Sequence, residues 1–393
     1  MLYMTEHGMI DLSYVQAKID MEKNNELLKN HPYSIWRGTD DYWHTYLPTT
    51  NGRKPVKRKE EKDVEQIVIS YWKDIKQNTF KNRFKIWIER QKACGRSDNT
   101  IYKYECNYAR FFSGDPIEDL DVRNISEEEI SLFIQRIFQR KKVPYKALKE
   151  MFGHIDGVMQ KCIVDKIIEK NPCCYVDLPI FKQYCEQTKD KTSTQRTLSQ
   201  DEKKVLLRKI HQKDSVVKCA LELSLYTGMR VGELSALKWE DIDCDAKTLT
   251  ICRSEKYNRK TKEYFVSTTK NDKVRIIPLT ENMMAVLDKT KKLELRQGYI
   301  SDFIFCGKNG RIHARTISDC ARNNTMSHEF SSIKSIHAIR RTLNSNLKCM
   351  GVATPIAAAL LGHTEKVNEN NYTYDVSRIQ DKLEFLEKAG KIG

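Results

Sequence analysis

Early in the chain, hydrophobic and polar positions alternate singly, and then the period lengthens. Between residues 33 and 59, "YSIWRG" and "DYWHTYL" alternate aromatic and polar residues around a turn at Gly38 to Asp41. This predicts two strands, with "KPVKRKE" as a third. From residue 64 to 178 the period is helical. Phe80, Phe84, Trp87 and Ile88 share one helical face, and so do Ile101, Tyr104, Tyr108 and Phe111. Ser126 and Glu129 have capping-box spacing before Ile130, Phe133, Ile134 and Ile137. Asn171-Pro172 in "EKNPCCYV" ends the helical stretch.

The segment "EQTKDKTSTQR", Glu186 to Arg196, is almost free of apolar residues and reads as a linker. A second capping box, Ser199 with Glu202, opens the next region. Helices run to about Lys238, three strands follow in "KTLTICR", "EYFVST" and "VRIIPL", and helices resume to the end. The pattern predicts a mainly α chain with small antiparallel sheets. Its expected divisions are a sheet segment at 1–63, a helical domain at 64–185, a linker at 186–196 and a third domain at 197–393.

A chain of 393 residues suits two or three domains, and 40% hydrophobic residues is enough to build their cores. The net charge of +15 points to a polyanionic partner. Arg53 to Lys62 holds six Lys/Arg against two Glu, so Arg53, Lys54, Lys57, Arg58 and Lys59 are candidate DNA contacts. With Trp36, Tyr42 and Trp43 exposed, a basic sheet there can enter a DNA groove. A small sheet with a solvated charged edge fits the same residues. The twelve cysteines lack a C-x-x-C pair, which predicts reduced thiols in a cytoplasm and no zinc site. The apolar run "GVATPIAAALLG" is too short to span a bilayer, and the N-terminus lacks the pattern of a secretory signal.

Four fragments carry candidate chemistry. In "LYTGMRVGELSALKW", Arg230 and Glu233 are three apart, as an ordinary surface ion pair would be. In "STTKNDKVRIIPL", Lys270 falls in a turn between strands. In "SIHAIRRT", His337 and Arg340 share a helix face. In "LLGHTEKVNENNYTYD", His363 follows Leu361-Gly362, and Tyr372 lies nine residues further on.

Together and in this order, these boxes resemble the tyrosine site-specific recombinases, the family of phage and conjugative-element integrases. The resemblance covers residues 195 to 393. The helical segment before it is similar to that family's core-binding domain, and the basic aromatic sheet to an arm-binding domain. The resemblance implies a tyrosine-recombinase (DNA breaking-rejoining) catalytic domain and selects Tyr372 as nucleophile. Two residues along a helix turn a side chain by ~200°, so Tyr374 cannot address the same phosphate from a regular helix.

The implied roles follow from charge. A tyrosine with a pKa of about 10 is ionised in roughly one molecule per thousand at pH 7, so it needs assistance. Guanidinium forks match phosphate oxygens, so Arg230 and Arg340 would clamp the scissile phosphate in place of a metal ion. Lys270 would protonate the 5′-hydroxyl leaving group. His337 and His363 would bond the phosphate or carry protons, and Glu233 would orient its neighbours. The product would be a 3′-phosphotyrosyl bond that a second strand attacks without ATP or any cofactor.

The resemblance further implies double-stranded DNA with core-type and arm-type sites, a homotetramer on DNA, and a directionality factor or host DNA-bending protein as accessory. Ile379, Leu383 and Leu386 form an apolar stripe in the tail, for docking on its own domain or on a neighbour's. Two alternatives share the motifs: a Xer-like resolving recombinase, and a non-catalytic DNA-binding protein on a recombinase fold.

Overall fold

In the computed structural model, residues 12–49, 52–187, 192–269, 273–362 and 364–372 are described. The chain forms two compact units, Met1–Thr188 and Lys189–Gly393. Mainly helical, each also carries small antiparallel sheets.

The first unit opens with helix α1 (Leu12–Lys29) and a sheet of three antiparallel strands in the order β1 (Trp36–Arg37), β2 (Trp43–Thr49) and β3 (Gly52–Arg58). Cross-strand partners share a sheet face, so register decides what each face carries. Thr45 pairs with Val56 and Leu47 with Lys54, which puts the buried Thr45, Leu47 and Val56 on one face. That face packs on helix α2 (Glu61–Gln77) through Val68, with Tyr71 and Trp72 beside it. Tyr71 donates its hydroxyl to the Pro48 carbonyl. The helix starts before residue 63 and underlies the sheet.

The opposite face carries Trp36, His44, Tyr46, Arg53 and Lys57. Trp36 stacks on His44, Arg53 lies 4.2 Å over the Tyr46 ring, and Lys57 lies 4.2 Å over Tyr42. Trp43 sits in register with Thr45 and Leu47, on the α2 side, rather than on this open face.

Helices α3 (Phe80–Ala93), α4 (Asp98–Phe111), α5 (Glu127–Arg140) and α6 (Tyr145–Val164) complete the unit around one core. The expected aromatic stripes point inward. Phe80, Phe112 and Phe133 are fully buried, each worth roughly 1.5–3 kcal/mol against exposure. Ser126 accepts from the Glu129 N–H, as its spacing predicts for the start of α5. Helices α3 and α6 meet at Gly157, where a Cβ would sit 2.9 Å from the Trp87 indole, so the indole occupies the space a side chain would need.

The second unit begins with the short α7 (Ser193–Arg196) and α8 (Gln200–His211), opened by the reciprocal Ser199–Glu202 capping box. Then come α9 (Val216–Thr227) and α10 (Val231–Ser235). A sheet of β4 (Ile242–Asp243), β5 (Thr248–Ile251) and β8 (Arg275–Pro278) runs in the order β4-β5-β8. Between β5 and β8 the chain inserts a hairpin of β6 (Arg253–Asn258) and β7 (Glu263–Thr268). Helix α11 (Glu281–Gln297), the short pair β9 (Cys306–Gly307) and β10 (Gly310–Arg311), and helices α12 (Ala314–Asn324), α13 (Ile336–Cys349), α14 (Thr354–Leu361) and α15 (Glu365–Tyr372) follow.

The core of this unit surrounds α9, whose Ala220, Leu221 and Leu223 are fully buried. Strand β6 is largely polar and was not among the expected strands. Its buried Glu255 is satisfied by Arg311 and His313 at 2.7 Å and by the Ala314 N–H at the start of α12.

Candidate active site

Helix α9 ends at Gly228, which adopts a left-handed conformation with φ of 60° and turns the chain into α10. Arg230 caps α10. Its backbone N–H donates to Glu233 Oε2 at 2.9 Å, and its guanidinium donates to Glu233 Oε1 at 2.8 Å. Glu233 is only 1% exposed, so this is a buried pair and not a surface one.

A second arginine, Arg275 on β8, grips both Glu233 oxygens at 3.1 and 2.7 Å. Burial alone would raise the Glu233 pKa, but Arg275 and Arg230 outweigh it and hold the carboxyl at about 2.

The C-terminal turn of α14 collects three arginines on consecutive carbonyls. Arg275 Nε donates to Leu360 at 3.2 Å, Arg340 donates to Leu361, and Arg230 donates to Gly362 at 2.8 Å. These carbonyls end a helix, where the dipole favours cations. Gly362 has φ of 65°, and a Cβ there would lie 2.9 Å from the Arg275 guanidinium. Arg340 also donates to the Gly228 carbonyl at 2.7 Å and is 1% exposed, whereas the Arg230 side chain keeps 30% exposure. A cleft beside Arg230 is lined by Thr269, Lys273, Arg275 and Gly362.

His337 lies one turn before Arg340 on α13. Its ring reaches the surface, yet crowding by neighbouring atoms, followed by Arg341, Arg340 and Arg230, pushes its pKa below the usual histidine value. Buried Lys334 anchors the approach to α13. Its ammonium donates to the Thr194 and Thr197 carbonyls at 2.5 and 2.7 Å and pairs with Glu202 at 3.2 Å.

Arg230, Glu233, His337 and Arg340 are therefore gathered into one cluster. Lys270, His363 and Tyr374 lie outside the described residues. Tyr372 is the last residue of α15, and its side chain is likewise outside them. Helix α15 is held by a fully buried amide pair: Asn344 donates to Asn368 at 3.1 Å and Asn368 donates back at 2.7 Å. One residue on, Glu369 accepts from Thr354, which Lys348 also contacts. Residue 372 lies one turn beyond the asparagine pair.

Sequence reasoning missed Arg275, Lys273, Asn344 and Asn368. A faint signal existed for two of them. Arg275 interrupts the apolar strand "VRIIPL", and Asn368 stands one helical turn before Tyr372.

Residues 196–377 match the phage integrase family. The chain is similar to the XerC-like tyrosine recombinase of Caldanaerobacter subterraneus subsp. tengcongensis, 23% identical over 352 residues that cover 83% of this chain and 87% of that one. It is also similar to the ICEBs1 integrase of Bacillus subtilis, 24% identical over 177 residues covering 44% of each.

Its fold resembles that of the Tn1549 transposon integrase in complex with a circular intermediate DNA, with a TM-score of 0.62, 19% identity and coverage of 78% of this chain and 99% of that one. A lambda integrase dimer bound to a COC′ core site aligns with a TM-score of 0.53, 16% identity and coverage of 89% and 99%. With the matched segment spanning the whole arginine cluster, residues 196–377 form a phage integrase family domain, and the chain is a tyrosine recombinase family enzyme.

Proposed function

We propose that this protein is the integrase of a phage or other integrative element, and that it cleaves and rejoins DNA through a 3′-phosphotyrosyl bond at Tyr372. The arginine cluster around Glu233 is the observation that carries this reading. Arg230 and Arg340 are two permanently charged forks held beside His337, suited to the extra negative charge of a pentavalent phosphate. A largely neutral His337 can accept or donate a proton there.

Attack by Tyr372 joins its phenolic oxygen to phosphorus as the phenol proton passes to His337 or His363, and it breaks the bond to the 5′-oxygen, which takes a proton from Lys270. Rejoining reverses these transfers with a different strand. Bonds to the α14 carbonyls hold Arg230 and Arg340 in place before phosphate binds.

Integration, rather than resolution alone, is supported by the first unit. The open sheet face of Trp36, His44, Tyr46, Arg53 and Lys57 provides aromatic and basic groups for a second DNA site. The structurally similar transposon and lambda integrases are complexed with a circular intermediate and with a core site, which suits double-stranded DNA as partner here. Lambda integrase also forms a tetramer on a Holliday junction, and we extend that assembly to this chain.

The test is a nicked core-site duplex that loses the cleaved end, incubated with the protein in excess EDTA. Accumulation of a covalent protein–DNA adduct supports the reading, and absence of any adduct on every candidate attachment sequence contradicts it.

A further inference from the structure

Arg275 stands apart from the two arginines assigned to the phosphate. Each of its side-chain nitrogens already has a protein acceptor: Nε the Leu360 carbonyl, and the two terminal nitrogens the Glu233 carboxylate. The side chain is only 10% exposed. Three of its five N–H donors are thus committed to protein acceptors.

What it touches matters for the reaction. Glu233 orients Arg230 through two bonds, and Leu360 begins the carbonyl series that ends immediately before His363. Arg275 also lies five residues after Lys270 in the sequence. Thr269 Oγ1 donates to the Lys273 carbonyl at 2.5 Å.

We propose that Arg275 is a positioning residue of strand transfer, fixing Arg230 through Glu233 and the segment before His363 through Leu360. The proposal rests on the recombinase reading of the site. Its physical logic is that Arg275 ties Glu233, which orients Arg230, to the Leu360 carbonyl of the turn on which Arg230 and Arg340 also sit. Its bonds thereby keep α10, β8 and the end of α14 aligned. A fixed, planar, bidentate guanidinium suits this role, and an ammonium does not reproduce it.

The experiment is single-turnover cleavage of the suicide duplex by the full chain at saturating protein, comparing Arg275→Met, Arg275→Lys and the parent. Three quantities are read: the rate constant, the amplitude and the DNA dissociation constant. Displacing catalytic groups by about an ångström should lower the rate constant about a hundredfold in Arg275→Met, with amplitude and DNA affinity within roughly threefold of the parent. Arg275→Lys, which can satisfy one acceptor at a time, should fall between. A purely structural residue would instead reduce the amplitude, the folded fraction, and leave the rate constant unchanged. That result, or a rate constant within about threefold of the parent, overturns the proposal. If Arg275→Met does not fold, Arg275→Lys decides by the same criterion. The parent and Tyr372→Phe run alongside: adducts from the parent alone keep the site reading intact whatever Arg275 does, and no adduct from the parent overturns both.

Discussion

Arg230 donates to the carbonyl oxygen of Gly362 at 2.8 Å, joining positions 132 residues apart in the chain. With Arg340 on Leu361 and Arg275 on Leu360, this bond draws four distant segments into one cluster. The arginines offset one another's repulsion through Glu233 and through the negative end of α14. The cluster is therefore built before DNA arrives, which is the preorganisation that transition-state charge stabilisation needs.

The leaving-group proton gives one prediction. A 5′-bridging sulfur leaves as a thiolate, whose conjugate acid has a pKa of about 8.5, and needs no general acid. Lys270→Ala should cleave the ordinary duplex slowly and recover near-parent rates on the sulfur-substituted one. Lys273→Ala, which removes the lysine that lines the Arg230 cleft, should cleave both at near-parent rates. Sulfur rescue of Lys273→Ala instead would move the general acid to residue 273.

Glu233 gives a pH dependence. Its folded pKa of about 2 lies below the unfolded value, so its contribution to stability is complete above pH ~4.5 and fades as pH falls toward 2. Against Glu233→Gln, the parent should be more stable by about 3 kcal/mol at neutral pH, with the gap closing below pH ~4.5. Denaturant melts at pH 7, 5 and 3 measure this. A gap that grows in acid contradicts the assignment.

His337 should be largely neutral at pH 7, because crowding and three nearby arginines disfavour its charged form. An imidazole NMR titration should give a midpoint below 6.5, and Arg341→Gln should raise it. A midpoint above 7 in the free protein would mean that the ring is cationic and screened from those arginines.

The helical aromatic stripes and the Ser199–Glu202 cap were legible because both are local patterns. The arginine cluster was legible only as a set of motifs. Nothing local showed that Glu233 is buried, or that Arg275 and Asn368 matter, since their partners lie tens of residues away. Strand β6 escaped notice because Glu255 interrupts its alternation, and a buried carboxylate reads as solvent-facing until Arg311 and His313 are brought to it. Trp43 was expected to be exposed with Trp36. A one-residue difference in a strand's parity sends a side chain to the opposite face, and pairing register is set across strands.

The open sheet face yields a prediction that separates the two DNA sites. Removing residues 1–63 would uncover Val68, Tyr71 and Trp72, so charge removal is the cleaner test. Arg53→Gln with Lys57→Gln should leave adduct formation on core DNA unchanged. It should weaken binding to the second site and lower its salt slope by about 2, at roughly 0.9 per phosphate contact. Unaltered integration on full attachment DNA would identify this face as a solvated edge only.

The choice of nucleophile is tested most directly by trapping the covalent intermediate on a suicide core-site duplex with Tyr372→Phe and Tyr374→Phe in parallel. Each substitution removes one phenolic oxygen and no charge at neutral pH. The account predicts that Tyr372→Phe binds DNA like the parent and forms no denaturation-resistant adduct, while Tyr374→Phe forms it. An adduct from Tyr372→Phe, or its loss in Tyr374→Phe alone, would contradict the account.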